Sequence, residues 1–172
     1  MADKKWEIVP FAKPDHDRKD FSCGRDSLDN WLKKQASQFL KRDLARLFVL
    51  ISEGSPKVCG FYTLSSHSIE YETLPEDLAK GLPPRMSIPV ILIGKLAIDK
   101  NHQGQHLGEL LLMDALRQVH KLSEKIGIRA VVLDAIDESA KSFYLKYGFC
   151  SLMDDENHLY LPIKTIRELG LN

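Results

Sequence analysis

The sequence predicts a mixed α/β domain, a central sheet of about six or seven short strands flanked by helices. One observation behind this is an apolar run at residues 90–98, rich in Ile and Leu, that reads as a buried strand. It is broken by Asp99, Lys100, Asn101 and His102 and, after a glycine-bearing turn, gives way to a helical pattern. In that pattern Leu111, Leu112, Ala115, Val119 and Leu122 recur at spacings of three and four and share one face. The other observation is the alternation of further strand-like runs with helical stretches along the rest of the chain.

Trp6 to Phe11 reads as a first strand, with Ile8 and Val9 at its centre. A polar loop and the turn Phe21-Ser22-Cys23-Gly24 follow, and Asp26 or Ser27 is the expected cap of a helix beginning near Leu28. Its core face carries Leu28, Trp31, Leu32 and Phe39. Its other face carries Lys33, Lys34, Lys41, Arg42 and Arg46, either a solvated surface or a face for a polyanion. Residues 47–51 and 58–64 are strands two and three, antiparallel across the turn Glu53-Gly54-Ser55-Pro56, and the third continues toward Glu70. A long proline-bearing connection contains a short helix at 75–80. Beyond the central strand–turn–helix, residues 130–136 form another buried strand. Asp137 caps a helix from Glu138 to about Tyr147, and Gly148 stops it. Short strands at 149–152 and 158–162, joined by Asp154-Asp155-Glu156-Asn157, and a last helical turn at 164–169 close the chain.

Composition bounds the function. The 172 residues are expected to form one domain, 1–172, and 44% apolar with 28% charged residues is the make-up of a soluble globular protein. Basic and acidic residues balance at 24 each, with a mild excess in the first 50 residues, 11 Lys/Arg against 8 Asp/Glu. Three cysteines, Cys23, Cys59 and Cys150, lie far apart and without a CxxC, which argues against a disulfide scaffold and a zinc site. No stretch has the make-up of a signal peptide or a membrane span, so the expected location is the cytoplasm.

The turn Gln103-Gly104-Gln105-His106-Leu107-Gly108 carries the chemistry. The first turn of a helix has N–H groups without internal partners and sits at the positive end of the macrodipole, an arrangement that binds phosphate. A P-loop requires Lys-Ser or Lys-Thr after its last glycine, where Glu109-Leu110 stand, and a dinucleotide fingerprint requires a third glycine. Gln103-x-x-His106-x-Gly108 resembles instead the (Gln/Arg)-x-x-Gly-x-(Gly/Ala) signature of the GNAT N-acetyltransferases, with His106 in place of the first glycine. Asp137-x-x-Ala140-x-x-Phe143-Tyr144-x-Lys146-x-Gly148-Phe149 resembles the second GNAT hallmark, Asn-x-x-Ala-x-x-Phe-Tyr-x-Lys-x-Gly-Phe, with Asp137 in place of Asn.

The resemblance implies the GNAT acyltransferase fold and acetyl-coenzyme A as the acetyl donor. It implies a central strand splayed near Leu96, Ala97 and Ile98, whose freed backbone binds pantetheine and polarises the thioester. It implies that Gln103, Gly104, Gln105, His106, Leu107 and Gly108 take the pyrophosphate, with Leu107 anchoring the turn, and that Asp137 lies near the pantetheine arm. Tyr144 falls where many GNAT enzymes place a phenol that protonates the leaving thiolate. Tyr62 and Tyr147 read as structural. His67, His102, His106, His120 and His158 lack matching partners by spacing, are expected mostly at the surface, and supply no general base. An α-amine, with a pKa of about 7.7–8.0, needs less help than a lysine and is the favoured acceptor.

A narrower resemblance runs through Phe21-x-Cys23-Gly24-x-x-x-Leu28-x-x-Trp31-Leu32, Ala45-Arg46-x-Phe48-Val49, Gly60-Phe61-Tyr62-x-Leu64-Ser65, residues 89–99 and Leu161-Pro162-Ile163-Lys164. These segments are similar to the GNAT toxins of bacterial toxin–antitoxin pairs. That implies acetylation of the α-amine on aminoacyl-tRNA, a homodimer, and restraint by a ribbon-helix-helix antitoxin. Lys33, Lys34, Lys41, Arg42 and Arg46 would then meet tRNA phosphates. The rival readings are a GNAT enzyme acting on a small or protein amine, and a non-catalytic acyl-CoA-binding module.

Overall fold

A computed structural model of the chain describes residues 4–171. Seven strands form one mixed sheet in the order β1-β2-β3-β4-β5-β7-β6. They are β1 (Trp6–Pro10), β2 (Arg46–Ser52), β3 (Gly60–Glu70), β4 (Ser87–Ile98), β5 (Ala130–Asp134), β6 (Cys150–Ser151) and β7 (His158–Pro162). The helices are α1 (Asp26–Asn30), continued by a π-helical turn (Trp31–Gln35) into α2 (Ala36–Lys41), then α3 (Glu76–Ala79), α4 (Leu107–Ser123), α5 (Glu138–Leu145) and α6 (Ile163–Glu168).

The described residues divide into two compact units, one reaching Ser65 and including Gly94–Ala115, the other Ser66–Ile93 with the residues from Leu116 onward. In the first, β2 pairs antiparallel with β1 (Val9↔Val49) and with β3 (Phe48↔Tyr62). Its core joins Phe21, Trp31, Leu32, Ala36, Leu47, Val49, Val58, Phe61 and Ala97, with Leu28 and Phe39 packed partly buried against it. The helix begins at Asp26 rather than near Leu28, and the expected caps are corrected. Arg25 is the N-cap and makes no side-chain cap bond. Asp29 is buried and accepts from the Cys23 N–H at 2.9 Å, so a carboxylate one turn in satisfies the preceding turn.

In the second unit β4 and β5 are parallel, Val90↔Ala130 to Leu92↔Val132, and β7 runs antiparallel to both β5 and β6. Ile69, Leu74, Leu78, Ile88, Val90, Ala130, Val132, Leu152 and Tyr160 make its core. Asp137 caps α5 as expected, accepting from the Ala140 N–H at 2.8 Å, and Gly148 takes φ +96° just beyond the helix. On α4 Leu111, Leu112, Ala115 and Val119 are fully buried together with Leu116, whereas Leu122 is exposed, a correction to the expected core face. The helix has outrun its apolar stripe by that point, since 3.6 residues per turn drifts away from a spacing of three.

Candidate active site

The site is built on the end of β4 and the turn into α4. Gly60 of β3 lets the two backbones close up here. A Cβ at that position would come within 2.8 Å of Ile98 Cδ1 and 3.1 Å of the Ala97 carbonyl. Asp99, 2% exposed, ends the strand and organises the turn. Its carboxylate accepts from the N–H groups of Asn101 at 2.9 Å and Ser22 at 3.1 Å, and its own N–H donates to the Cys59 carbonyl at 2.8 Å. The Gln103 side-chain amide donates to the carbonyls of Ile98 and Cys23, each at 3.0 Å. Gln103 therefore braces the turn with its side chain.

The turn proper is left-handed at two places, Gly104 at φ +83° and His106 at φ +60°. His106 adopts the conformation that a glycine reaches without strain, and its exposed side chain leaves the backbone clear. Leu107, 5% exposed, anchors the first turn of α4. The His102 N–H bonds the Asp99 carbonyl and the Leu110 N–H bonds that of His106. Between them the main-chain N–H groups of 104–109 have no acceptor among the described residues. They lie at the N-terminus of a 17-residue helix, which suits a pyrophosphate.

Upstream, the β4–β5 ladder ends at Leu92↔Val132 although β4 runs on to Ile98. The departure from regular parallel pairing thus begins earlier than the expected Leu96, Ala97 and Ile98. The Lys95 N–H is satisfied by Thr63 Oγ1 at 3.0 Å.

Tyr144, on α5 in the second unit, is 7% exposed. Its ring packs edge-on against Phe143 and Phe149, with centroids 5.0 and 5.4 Å away. Burial pushes the phenol well above its ordinary pKa, so it holds its proton throughout the physiological range. Asp137, at the head of the same helix, spends one carboxylate oxygen on the cap. Tyr62 is structural, as expected: fully buried, stacked on Phe48 and donating to Asp114 at 2.6 Å.

The basic residues are all exposed, but they are not equivalent. Lys33 and Lys34 project from the π turn, Lys41 ends α2 and Arg42 follows it. Arg46 is ion-paired to Asp43 at 2.7 Å, with both side chains exposed. Lys33 also lines a cleft of about 600 Å³ with Lys13, His16, Asp17, Arg18 and Lys19. In sequence these residues read only as a polar loop. Arg18 is held there by the Leu32 carbonyl at 2.7 Å and by the Phe11 ring, 4.9 Å from its guanidinium carbon. The histidine expectation is also corrected. His102, His120 and His158 are partly buried, and lie 3.9, 4.0 and 3.1 Å from Asp99, Glu124 and Asp154. Among the described residues no group of three His, Cys, Asp or Glu side chains could hold a metal ion, and no helix is long and apolar enough to cross a membrane.

A family model for the acetyltransferase (GNAT) domain matches residues 43–151, which takes in β2 to β6 and the whole β4–turn–α4 unit. The chain is a GNAT acetyltransferase. Among its relatives, the acetyltransferase is 37% identical to a probable toxin TacT of Sinorhizobium fredii over 169 residues, covering 94% of this chain and 93% of that one. It is 36% identical to a tRNA-acetylating toxin of Mycobacterium tuberculosis over 149 residues, 87% of each. Of solved structures, AtaT complexed with acetyl-methionyl-tRNAfMet superposes with a TM-score of 0.89 at 30% identity, over 96% of this chain and 99% of that one. A crystal structure of a Tyr-to-Phe mutant of KacT gives 0.90 at 33% identity, over 95% and 98%. The enzyme's seven-stranded sheet agrees with the fold expected from the resemblance.

Proposed function

We propose that this acetyltransferase moves the acetyl group of acetyl-coenzyme A to the α-amine of an aminoacyl-tRNA, and that it thereby acts as a translation-blocking toxin in the cytoplasm. The observation that carries the reading is the match to AtaT captured with acetyl-methionyl-tRNAfMet, which extends over 96% of this chain. The sequence relative from Mycobacterium tuberculosis is a tRNA-acetylating toxin, and AtaTR has been solved with acetyl-coenzyme A.

The residues fit the donor. The main-chain N–H groups of Gly104, Gln105, His106, Leu107 and Gly108 at the α4 N-terminus would take the pyrophosphate. The donor supplies an activated acyl carbon. The main chain of Leu96, Ala97 and Ile98, past the end of the ladder to β5, offers groups to polarise its carbonyl. Asp137 would orient the α5 N-terminus toward the pantetheine arm, and Tyr144 keeps a proton available for the leaving thiolate. The two departures from the family motifs support an active enzyme rather than a decayed binding module. His106 adopts the left-handed conformation of the glycine it replaces, and Asp137 makes the cap an Asn would make.

Lys33, Lys34, Lys41 and Arg42 would contact tRNA phosphates, with Arg46 contributing less because Asp43 already pairs with it. As a toxin the protein requires restraint. AtaT has been solved bound to the C-terminus of its antitoxin AtaR, and KacTA with DNA. On that footing we assign this chain an antitoxin partner. That the antitoxin is of the ribbon-helix-helix class and that the enzyme is a homodimer rest on the sequence resemblance to GNAT toxins alone.

The test is acetylation of aminoacyl-tRNA by the purified protein and by a variant with Lys33, Lys34, Lys41 and Arg42 all changed to Glu, at two salt concentrations. The parent should acetylate, with affinity falling steeply as salt rises, and the reversed protein should not. Acetyl-coenzyme A affinity should be the same in both. Failure of the parent on every charged tRNA, with activity on a free amine, would overturn the substrate while sparing the family.

A further inference from the structure

One cation that sequence patterning passes over stands on β4 itself. Lys95 precedes Leu96, and strand alternation puts its side chain on the same face as Ala97, which packs in the cluster with Trp31 and Phe61. Its ammonium lies 4.9 Å from the centre of the Trp31 ring. The side chain is half-buried, no carboxylate pairs with it among the described residues, and burial alone lowers its pKa.

A partly desolvated ammonium facing an indole is held by the ring quadrupole but keeps its hydrogen-bonding capacity unspent. An apolar side chain would pack on Trp31 without that cost, so the position calls for an anion. The helix opposite is distorted at the same place. Trp31 opens the π turn, a rare geometry that tends to mark functional sites, and its Nε1–H is buried without an acceptor. Lys33 and Lys34 project from that turn into solvent. Lys95 therefore stands where the exposed cations of the helix give way to the main chain of Leu96, Ala97 and Ile98.

We infer that Lys95 binds the phosphodiester of the acceptor nearest the reacting amine, and so sets that amine over the end of β4. In an aminoacyl-tRNA the nearest such group is the 5′-phosphate of the terminal nucleoside. The inference rests on the aminoacyl-tRNA reading and adds to it one specific contact. Trp31 holds the ammonium in position beforehand, and a phosphate oxygen completes its pairing.

The experiment compares the full-length parent, Lys95→Met and Lys95→Arg on aminoacyl-tRNA and on puromycin, an aminoacyl-nucleoside analogue without phosphate. For Lys95→Met the KM for aminoacyl-tRNA should rise about tenfold or more, the loss of one charge-assisted contact, with kcat within about twofold. Its KM for puromycin should match the parent's, and Lys95→Arg should recover most of the tRNA affinity. Equal losses on both substrates, or no loss on aminoacyl-tRNA, would overturn the assignment. A parent inactive on aminoacyl-tRNA but active on puromycin or another free amine would overturn the substrate reading and this contact with it. Should Lys95→Met fail to fold, reductive methylation of the parent decides the matter. Uncharged tRNA should protect Lys95 and acetyl-coenzyme A should not, and equal modification with and without tRNA would refute the contact.

Discussion

Gln103 hydrogen-bonds the carbonyl of Ile98 with its side-chain amide, at 3.0 Å, and so ties the last residue of β4 to the turn that follows. The same nitrogen reaches the Cys23 carbonyl, also at 3.0 Å. Replacing the amide by a carboxylate, Gln103→Glu, removes both donors and sets a negative charge against two carbonyl oxygens. Acetyl-coenzyme A affinity measured by calorimetry should fall about tenfold, or ~1.4 kcal/mol. An unchanged Kd would mean that the turn holds its shape without the brace.

Gly108→Asp separates cofactor binding from folding. An Asp in the first turn of α4 is favourable to the helix by about 0.3–1 kcal/mol, so thermal stability should hold or rise. The same carboxylate would repel a pyrophosphate at the helix N-terminus, and acetyl-coenzyme A binding should be lost. Retained binding in the folded variant would move the pyrophosphate away from this turn.

His106→Gly should be tolerated. His106 sits at φ +60°, a region that costs a non-glycine residue roughly 1–2 kcal/mol, and glycine relieves that while making the unfolded chain more flexible. The two effects nearly cancel, so the melting temperature should move by only a few degrees. Acetyl-coenzyme A affinity should stay within about twofold or tighten. A large loss of affinity would give the imidazole a direct role in holding the donor.

Tyr144→Phe should leave the fold and acetyl-coenzyme A affinity intact and slow turnover roughly 10²-fold or more. Because burial raises the phenol's pKa, the parent's rate should show no decline from Tyr144 ionisation up to about pH 10. Turnover of the variant within about twofold of the parent would leave Tyr144 a packing residue of the Phe143–Phe149 cluster.

Cys23 has a thiol pushed up to about 11, first by burial and then by Asp29. At pH 8 its thiolate is about one part in a thousand, so exposed Cys150 should react with iodoacetamide well before Cys23. The folded chain keeps this proton while the unfolded chain releases it from about pH 9, so stability should fall as pH rises from about 9 to about 11. The rate of Cys23 modification, read by peptide mass, checks the first point. Denaturant melts across that pH range check the second, and a flat profile would count against it.

Much of the fold was legible because it is written in local periodicity. The apolar run ending at Asp99, the turn of Gln103 to Gly108, the α4 face as far as Val119 and the Asp137 cap are each set by residues within a few positions of one another, and each appeared where expected. The sequence by itself thus determined the order of strands and helices along the chain, the glycine-bearing turn ahead of α4 and, through two spaced motifs, the family. Tertiary structure decided what depends on backbone conformation and on side-chain neighbours that no periodicity marks. Asp29 rather than Asp26 or Ser27 satisfies the turn before α1, because Cys23 folds back to within 2.9 Å of it. Arg46 leaves the free cations because Asp43, at φ +57°, turns its carboxylate toward it. Lys13, Arg18 and Lys19 join Lys33 in a cleft only because Phe11 and the Leu32 carbonyl hold Arg18 in place. Lys95 reads in sequence as one charge in an apolar strand. Only the packing of β4 against Trp31 desolvates it without supplying a counter-ion, and burial of that kind has no periodicity to betray it.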